Sequence, residues 1–221
     1  MLRSAVCLLL IICFLWIDSE IGYSKEKWIH IPKEKAPDAR VLHTAIWDGH
    51  QMIIWGGIDD KTGVLNTGGR YDPSTDIWTP IATESVPEAR YVHTVIWTGT
   101  YMIVWGGSNI IDTFNDGGRY DPSTDIWTPI ATEESSETRS NHTAIWDGHQ
   151  MIIWGGVGNG GVGLNTGGRY NPSTDTWLPV TTEGSPESRN GHTAIWDGHQ
   201  MIIWGGADNE GVSNTGSKFS E

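Results

Sequence analysis

The sequence predicts an all-β chain built from four copies of one four-stranded unit. Three observations predict it. The stretch Arg40-x-x-His43-Thr44-Ala45-Ile46-Trp47 returns at Arg90, Arg139 and Arg189, at steps of 50, 49 and 50 residues. The 221 residues include 13 Trp against 3 Phe, a bias produced by copying one aromatic-bearing motif. Short apolar runs alternate with turn chemistry throughout, and no window sustains a helical period.

Each copy divides into strands a to d. Strand a is predicted over 43–47, and the Asp48-Gly49 pair after it signals a tight type I′ hairpin, because such a turn needs positive φ. Strand b, 52–55, is continuously apolar (Met-Ile-Ile-Trp), the pattern of a strand covered on both faces. A Gly-Gly pair follows, then a variable stretch, then strand c near 69–71. The sequence Asp72-Pro73-Ser74-Thr75-Asp76 supplies a turn, with Pro fixing φ and the Asp side chains bonding nearby backbone, and strand d runs over 77–81.

Four copies of Trp-Gly-Gly, three of them continuing to Gly-Gly-Arg-Tyr-Asp/Asn-Pro-Ser-Thr-Asp-x-Trp, resemble the kelch family, whose blade carries Gly-Gly after its second strand, then Tyr, then Trp, at a period near 50. The resemblance covers about residues 28–221. It departs in two places: Trp replaces the smaller apolar residue before Gly-Gly, and the last copy has Ser217-Lys218-Phe219 in place of Gly-Arg-Tyr. It implies a β-propeller of four-stranded blades. Trp28 stands 12 residues before Arg40, as Trp78, Trp127 and Trp177 stand 12 before Arg90, Arg139 and Arg189. Residues 28–32 are therefore expected to be a further strand d that completes the last blade and closes a four-blade ring, leaving no open edge. A fragment of a longer product, or two chains pairing into a larger ring as a homodimer, are the alternatives.

Ahead of the repeats, Arg3 and the apolar run 5–17 read as a signal peptide over 1–24, with the propeller over 25–221. The run is shorter than the roughly 20 residues of a comfortable span, and an uncleaved anchor is the one route to membrane association. The expected location is secreted, periplasmic or extracellular. Both cysteines, Cys7 and Cys13, lie in this segment, so the remainder has no thiol and must hold together by packing. The chain has net charge −13, which argues against nucleic acid and anionic membrane as partners.

Twelve of the 13 Trp fall three to a blade, a row that suits inter-blade packing better than sugar stacking. The Gly-Gly pairs read as strand ends and not as phosphate loops, since no helix follows them. His43, His93, His142 and His192 lie on strand a, which lines a propeller's channel. Either each makes a structural hydrogen bond, the reading that repeat copying favours, or four imidazoles meet around one metal. Arg40, Arg90, Arg139 and Arg189, at the d-to-a junctions, either tie each junction or form a ring that receives an acidic ligand. No cofactor is indicated.

The copies differ mainly in the b–c loops, 58–66, 108–116, 157–166 and 207–214, and in the pairs Val41-Leu42, Tyr91-Val92, Ser140-Asn141 and Asn190-Gly191. In an antiparallel blade these b–c and d–a connections emerge on one face. The candidate ligand-binding set is therefore Asp59, Asp60, Asn109, Asp112, Asn159, Asp208 and Glu210 beside the four arginines. The expected function is an exported binding or scaffold module for a protein or an extracellular glycan. The alternatives are a propeller enzyme acting on carbohydrate, similar to the sialic-acid epimerases, and a purely structural repeat protein. The resemblance also brings in copper-radical oxidases, but those depend on a Cys-Tyr crosslink, and residues 25–221 contain no Cys. No paired-carboxylate or Ser-His-Asp spacing stands out.

Overall fold

The computed structural model of the chain describes residues 26–208 and 210–220, so the expected signal segment lies outside the described residues. The chain divides after Ile31 into an N-terminal unit and the unit Pro32–Glu221, and all strands belong to the second.

The first blade is the antiparallel sheet β1 (Thr44–Trp47), β2 (Met52–Trp55), β5 (Gly68–Asp72) and β6 (Ile77–Pro80), with a small hairpin of β3 (Ile58–Asp59) and β4 (Gly63–Val64) in its b–c loop. The second is β7 (Thr94–Trp97), β8 (Met102–Trp105), β9 (Gly117–Asp121) and β10 (Ile126–Pro129). The third is β11 (Thr143–Trp146), β12 (Met151–Trp154), β13 (Gly167–Asn171) and β14 (Thr176–Pro179), with a short 3₁₀ turn at Asn159–Gly161. The fourth has three strands, β15 (Thr193–Trp196), β16 (Met201–Trp204) and β19 (Gly216–Phe219), and a loop hairpin of β17 (Ala207–Asp208) and β18 (Gly211–Val212). This is the repeated arrangement of β-propeller blades. The register is conserved between copies: Thr44, Thr94, Thr143 and Thr193 all face a Trp, at 55, 105, 154 and 204.

The turns form for local reasons. Asp48 accepts on one carboxylate oxygen from the backbone N–H of His50 and Gln51, at 2.7 and 2.6 Å. Only the first central residue, Gly49 at φ +103°, has positive φ. That is the signature of a type II′ turn and corrects the type I′ expectation. In the c–d turns Asp76, Asp125 and Asp175 take left-handed φ of 55–61°, and each accepts the hydroxyl of its strand-c tyrosine (Tyr71, Tyr120 or Tyr170) at 2.5–2.7 Å.

The core lies between blades, not within them. Ile53, Trp55, Ile81, Met102, Tyr120 and Trp127 form one cluster across the first seam. Trp105, Ile130, Met151, Ile153, Tyr170 and Trp177 form the second, and Trp154, Val180, Met201 and Ile203 the third. In each of the first two seams a strand-b Trp sits against the next blade's His and strand-d Trp, at ring separations of 5.1 and 5.4 Å for Trp55 and 5.2 and 5.3 Å for Trp105. Strands β8 and β12 are buried at every residue, whereas β2 and β16, in the end blades, are buried on alternate residues. Two covered faces against one is the physical difference.

The expected N-terminal strand d is not formed. Residues 28–32 contain no strand, and Trp28 is 101 % exposed. In blades 1 to 3 strand d is delivered by the c–d turn and clasped by the Tyr–Asp hydrogen bond. Residues 28–32 have no such turn to β19, and Phe219 has no hydroxyl to clasp one. Packed strand-a neighbours are β1 with β7, β7 with β11, and β11 with β15. The end faces are open: Trp204 is 59 % exposed, against 0–3 % for its counterparts Trp55, Trp105 and Trp154.

Trp105→Ala should lower the free energy of unfolding by about 3–5 kcal/mol in urea denaturation, as large aromatic truncations in cores do. Asp112→Ala, in an exposed loop, should stay within about 0.5 kcal/mol of the parent. Equal, small losses at both positions would contradict the seam.

Candidate functional site

The d–a junctions and b–c loops of each blade are joined by backbone hydrogen bonds. Val41 and Ile58 exchange both bonds at 3.0 and 2.9 Å, and the pairs Tyr91–Ser108, Ser140–Val157 and Asn190–Ala207 do the same. Within each blade these bonds hold the d–a junction and the b–c loop side by side.

The arginines sit at these junctions. Arg90, Arg139 and Arg189 are 0–2 % exposed, and Arg40, in the end blade, is half-buried. Arg139 Nη1 donates to the carbonyls of Gly155 and Thr166 at 3.0 and 2.7 Å, and its Nη2 donates to Thr166 Oγ1 at 3.0 Å. Arg40 and Arg189 repeat the pattern with Gly56 and Thr67 and with Gly205 and Thr215. In Arg90 the threonine is replaced by Asp116, whose carboxylate pairs with Nη2 at 2.8 Å, and the guanidinium lies 4.2 Å over Phe114. Burial pulls the Arg139 pKa down to about 10 against the opposing charge of Glu137, so the group stays cationic. These side chains tie strand b to the start of strand c within one blade. Of the two readings of these arginines, a tie at each junction or a ring that receives an acidic ligand, the hydrogen bonds are those of the tie. The partner was readable as the Thr or Asp that precedes each strand-c Gly.

The histidines are seam residues. His93, His142 and His192 are 5–6 % exposed, and the Nε2 of each lies 2.7–2.9 Å from the Oγ1 of Thr44, Thr94 or Thr143 in the preceding blade. Each ring meets the preceding blade's Trp edge-on. Gly56, Gly106 and Gly155 have φ of 65–70°, and a Cβ there would meet this imidazole at 2.6–2.7 Å. Only glycine permits so close an approach. His43 has no preceding blade and is exposed. Three of the four imidazoles thus lie one to a seam and His43 lies at none, and among the described residues no group of three or more His, Cys, Asp or Glu is arranged to hold a metal ion.

The predicted polar loop residues divide into two groups. Asp59 accepts from the backbone N–H of Lys61 and Thr62 and from the Thr62 hydroxyl, at 2.5–2.6 Å, which pulls its pKa down to about 2. Asn109 accepts from Ile111 and Asp112, and Asp208 from Glu210 and Gly211. These three close their own loops. Asp60, Asp112, Asn159 and Glu210 are exposed.

The same loops and junctions also carry exposed aliphatic side chains. Val41, Leu42, Ile110, Ile111, Val162 and Val212 are all exposed, Ile111 to 88 % and Val212 to 93 %. They were visible in the sequence as apolar residues inside variable, turn-rich loops. Leu42 and Val92 occupy left-handed φ of 56° and 47°, where the third and fourth blades have Asn141 and Gly191. A β-branched residue in that region is a strained choice. On the opposite end of the blades, Tyr101, Arg119, Trp146, His149 and Pro172 line a groove between the second and third blades.

A family model described as the KLHDC2/KLHL20/DRC7 Kelch-repeats domain matches residues 19–138. The chain belongs to the kelch-repeat family. No curated protein matches it. In kelch terms, the Gly-Gly pair, the strand-c Tyr and the strand-d Trp are here the seam glycine that admits the next blade's His, the turn clasp and the seam aromatic.

Burial holds the His93 pKa down to about 3 and the His192 pKa to about 4, with Arg90 and Arg189 adding repulsion, and it pushes His142 well below its ordinary value. The unfolded chain protonates these residues near pH 6.5 and the folded chain does not. Stability is therefore full above about pH 6.5 and falls as pH drops toward 4. Between pH 7 and 5 the free energy of unfolding should drop by about 2 kcal/mol or more, and His142→Gln should flatten the slope. A flat profile over that window would contradict the neutral, buried assignment.

Proposed function

We propose that this kelch protein is a binding or scaffold module that takes a protein partner on the face formed by its b–c loops and d–a junctions. The observation that carries this reading is that every blade presents exposed aliphatic side chains there: Val41 and Leu42, Ile110 and Ile111, Val162, and Val212. Apolar tips beside the exposed Asp60, Asp112, Asn159 and Glu210 have the composition of a protein interface, an apolar centre in a polar surround. A glycan would call instead for polar groups arrayed around an aromatic platform. All four blades take left-handed φ at this junction, and Val92, a β-branched residue there, is a strained choice where the third and fourth blades have Asn141 and Gly191, which supports the same face. Kelch membership supports a protein as the partner class.

Export belongs to the same reading and is supported by Arg3 and the apolar run at 5–17. The acidic balance, net −13, favours a partner whose contacting surface is neutral or basic.

The test compares proximity labelling and affinity capture by the parent chain with those by the double variant Ile110→Ser, Ile111→Ser. The variant should lose the specific partner by at least tenfold at an unchanged melting temperature, while His149→Ala, on the opposite end of the blades, should retain it. Loss through His149→Ala and retention through the loop variant would move the site to the other face. Selective retention of a defined oligosaccharide on a glycan array, abolished by the loop variant, would replace the protein with a glycan.

A further inference from the structure

The fourth blade lacks parts that the other three possess, and the N-terminal end of the chain offers those parts unused. In the third blade Trp177 fills the space between Trp105 of the preceding blade and Tyr170 of its own strand c, at 5.3 and 5.1 Å. The corresponding space in the fourth blade is an open groove whose lining includes Trp154, Val180, Met201, Ile203 and Phe219. Strand β19 is paired on one side only, with β16. The sheet edge and the groove therefore ask for one strand with a Trp and, three residues on, an aliphatic residue, as in Trp78 with Ile81, Trp127 with Ile130 and Trp177 with Val180. All six of those side chains are buried.

The segment 28–31 has this pattern in Trp28 and Ile31, at the same 12-residue distance from Arg40, and both side chains are exposed. A second pair of unmatched faces lies beside the first. Trp204 is exposed where its counterparts are covered by the next blade's His, and a Cβ on Gly205 would meet only Ser213 O at 3.8 Å, where the other three glycines touch a histidine. His43, the one strand-a histidine without a preceding Trp, is exposed at the other end.

We propose that this protein pairs with a second copy of itself, each copy laying residues 28–31 along β19 of the other and seating its first blade, His43 foremost, on the other's Trp204. Nothing new is needed in such an interface, because it repeats a seam that the chain already makes three times. In each existing seam the strand d of one blade leads directly into the strand a of the next, so a copy that supplies strand d also brings its His43 to the adjoining Trp. The end faces of a single chain leave both Trp204 and His43 exposed. The proposal uses the blade ends and does not rest on the loop-face reading.

The test is the mass of the full chain in solution together with a trans-specific crosslink. Light scattering at micromolar concentration should give twice the chain mass of 24.4 kDa, and Trp204→Glu should weaken self-association at least tenfold while leaving the melting temperature of the dilute protein unchanged. The register that pairs Arg70 with Thr79 places Lys218 opposite residue 29. In a Cys7→Ser, Cys13→Ser background, a chain with Ile29→Cys mixed with a chain with Lys218→Cys should therefore form a covalent heterodimer on oxidation. A monomer mass throughout would overturn the proposal. So would a double variant whose two cysteines close within one chain while the mixture stays uncrosslinked, since that result places the strand in its own fourth blade.

Discussion

The contact on which the rest depends is the seam between consecutive blades, where one strand-b Trp lies against the next blade's histidine and strand-d Trp. No blade has a core of its own. A four-stranded sheet of four- and five-residue strands has two faces and too few residues to cover either, so burial comes only from stacking the next copy. The seam is also polar in a controlled way. A neutral imidazole bridges to a threonine across it, and the backbone N–H of Gly57, Gly107 and Gly156 donates to the carbonyl of the next blade's arginine at 2.8–2.9 Å. The glycine before each of these has positive φ and no Cβ, which allows strand b to end within contact of that imidazole.

The buried arginines serve the seam indirectly. Strands b and c of one blade are separated in sequence by a loop of variable length, and without a tie each loop would set its own spacing between them. The guanidinium spans the gap, holding the Gly-Gly carbonyl and the strand-c Thr or Asp together whatever lies between. A planar fork with five donors does this where a lysine's ammonium could not. The loops above are thereby freed to vary. Rigid ties below and variable aliphatic tips above let the loops change without altering how blades stack.

Much of this was legible in the sequence, and the limits have physical reasons. Strand positions, the all-β class and the packing role of the Trp rows followed from periodicity and turn residues, since those depend on local chemistry that repeats. The hairpin turn was expected around Asp48-Gly49, but its central pair is Gly49-His50, because the Asp48 carboxylate accepts from the N–H of His50 and Gln51 and so holds Asp48 as the residue before the turn. For Arg40, Arg90, Arg139 and Arg189 the sequence left a junction tie and a ligand ring both open: the Thr or Asp before each strand-c Gly marks a partner, but the backbone carbonyls that complete the tie leave no side-chain pattern. The strand expected at 28–32 has the right residues at the right spacing, yet register matches alone do not supply the turn that delivers a strand to its neighbour. Ile110, Ile111 and Val212 were readable as letters, but their exposure was not, since an apolar residue in a loop is equally compatible with tucking under it.

The central claim is that stability resides in the coupling across seams, and a double-mutant cycle on Trp105 and His142, in adjoining blades, measures it most directly. If the seam holds the fold as described, Trp105→Ala and His142→Ala will be non-additive in urea unfolding, with a coupling free energy of about 0.5–1.5 kcal/mol or more. Additive losses, within about 0.3 kcal/mol, would contradict the account by showing that each residue stabilises its own blade independently of the next.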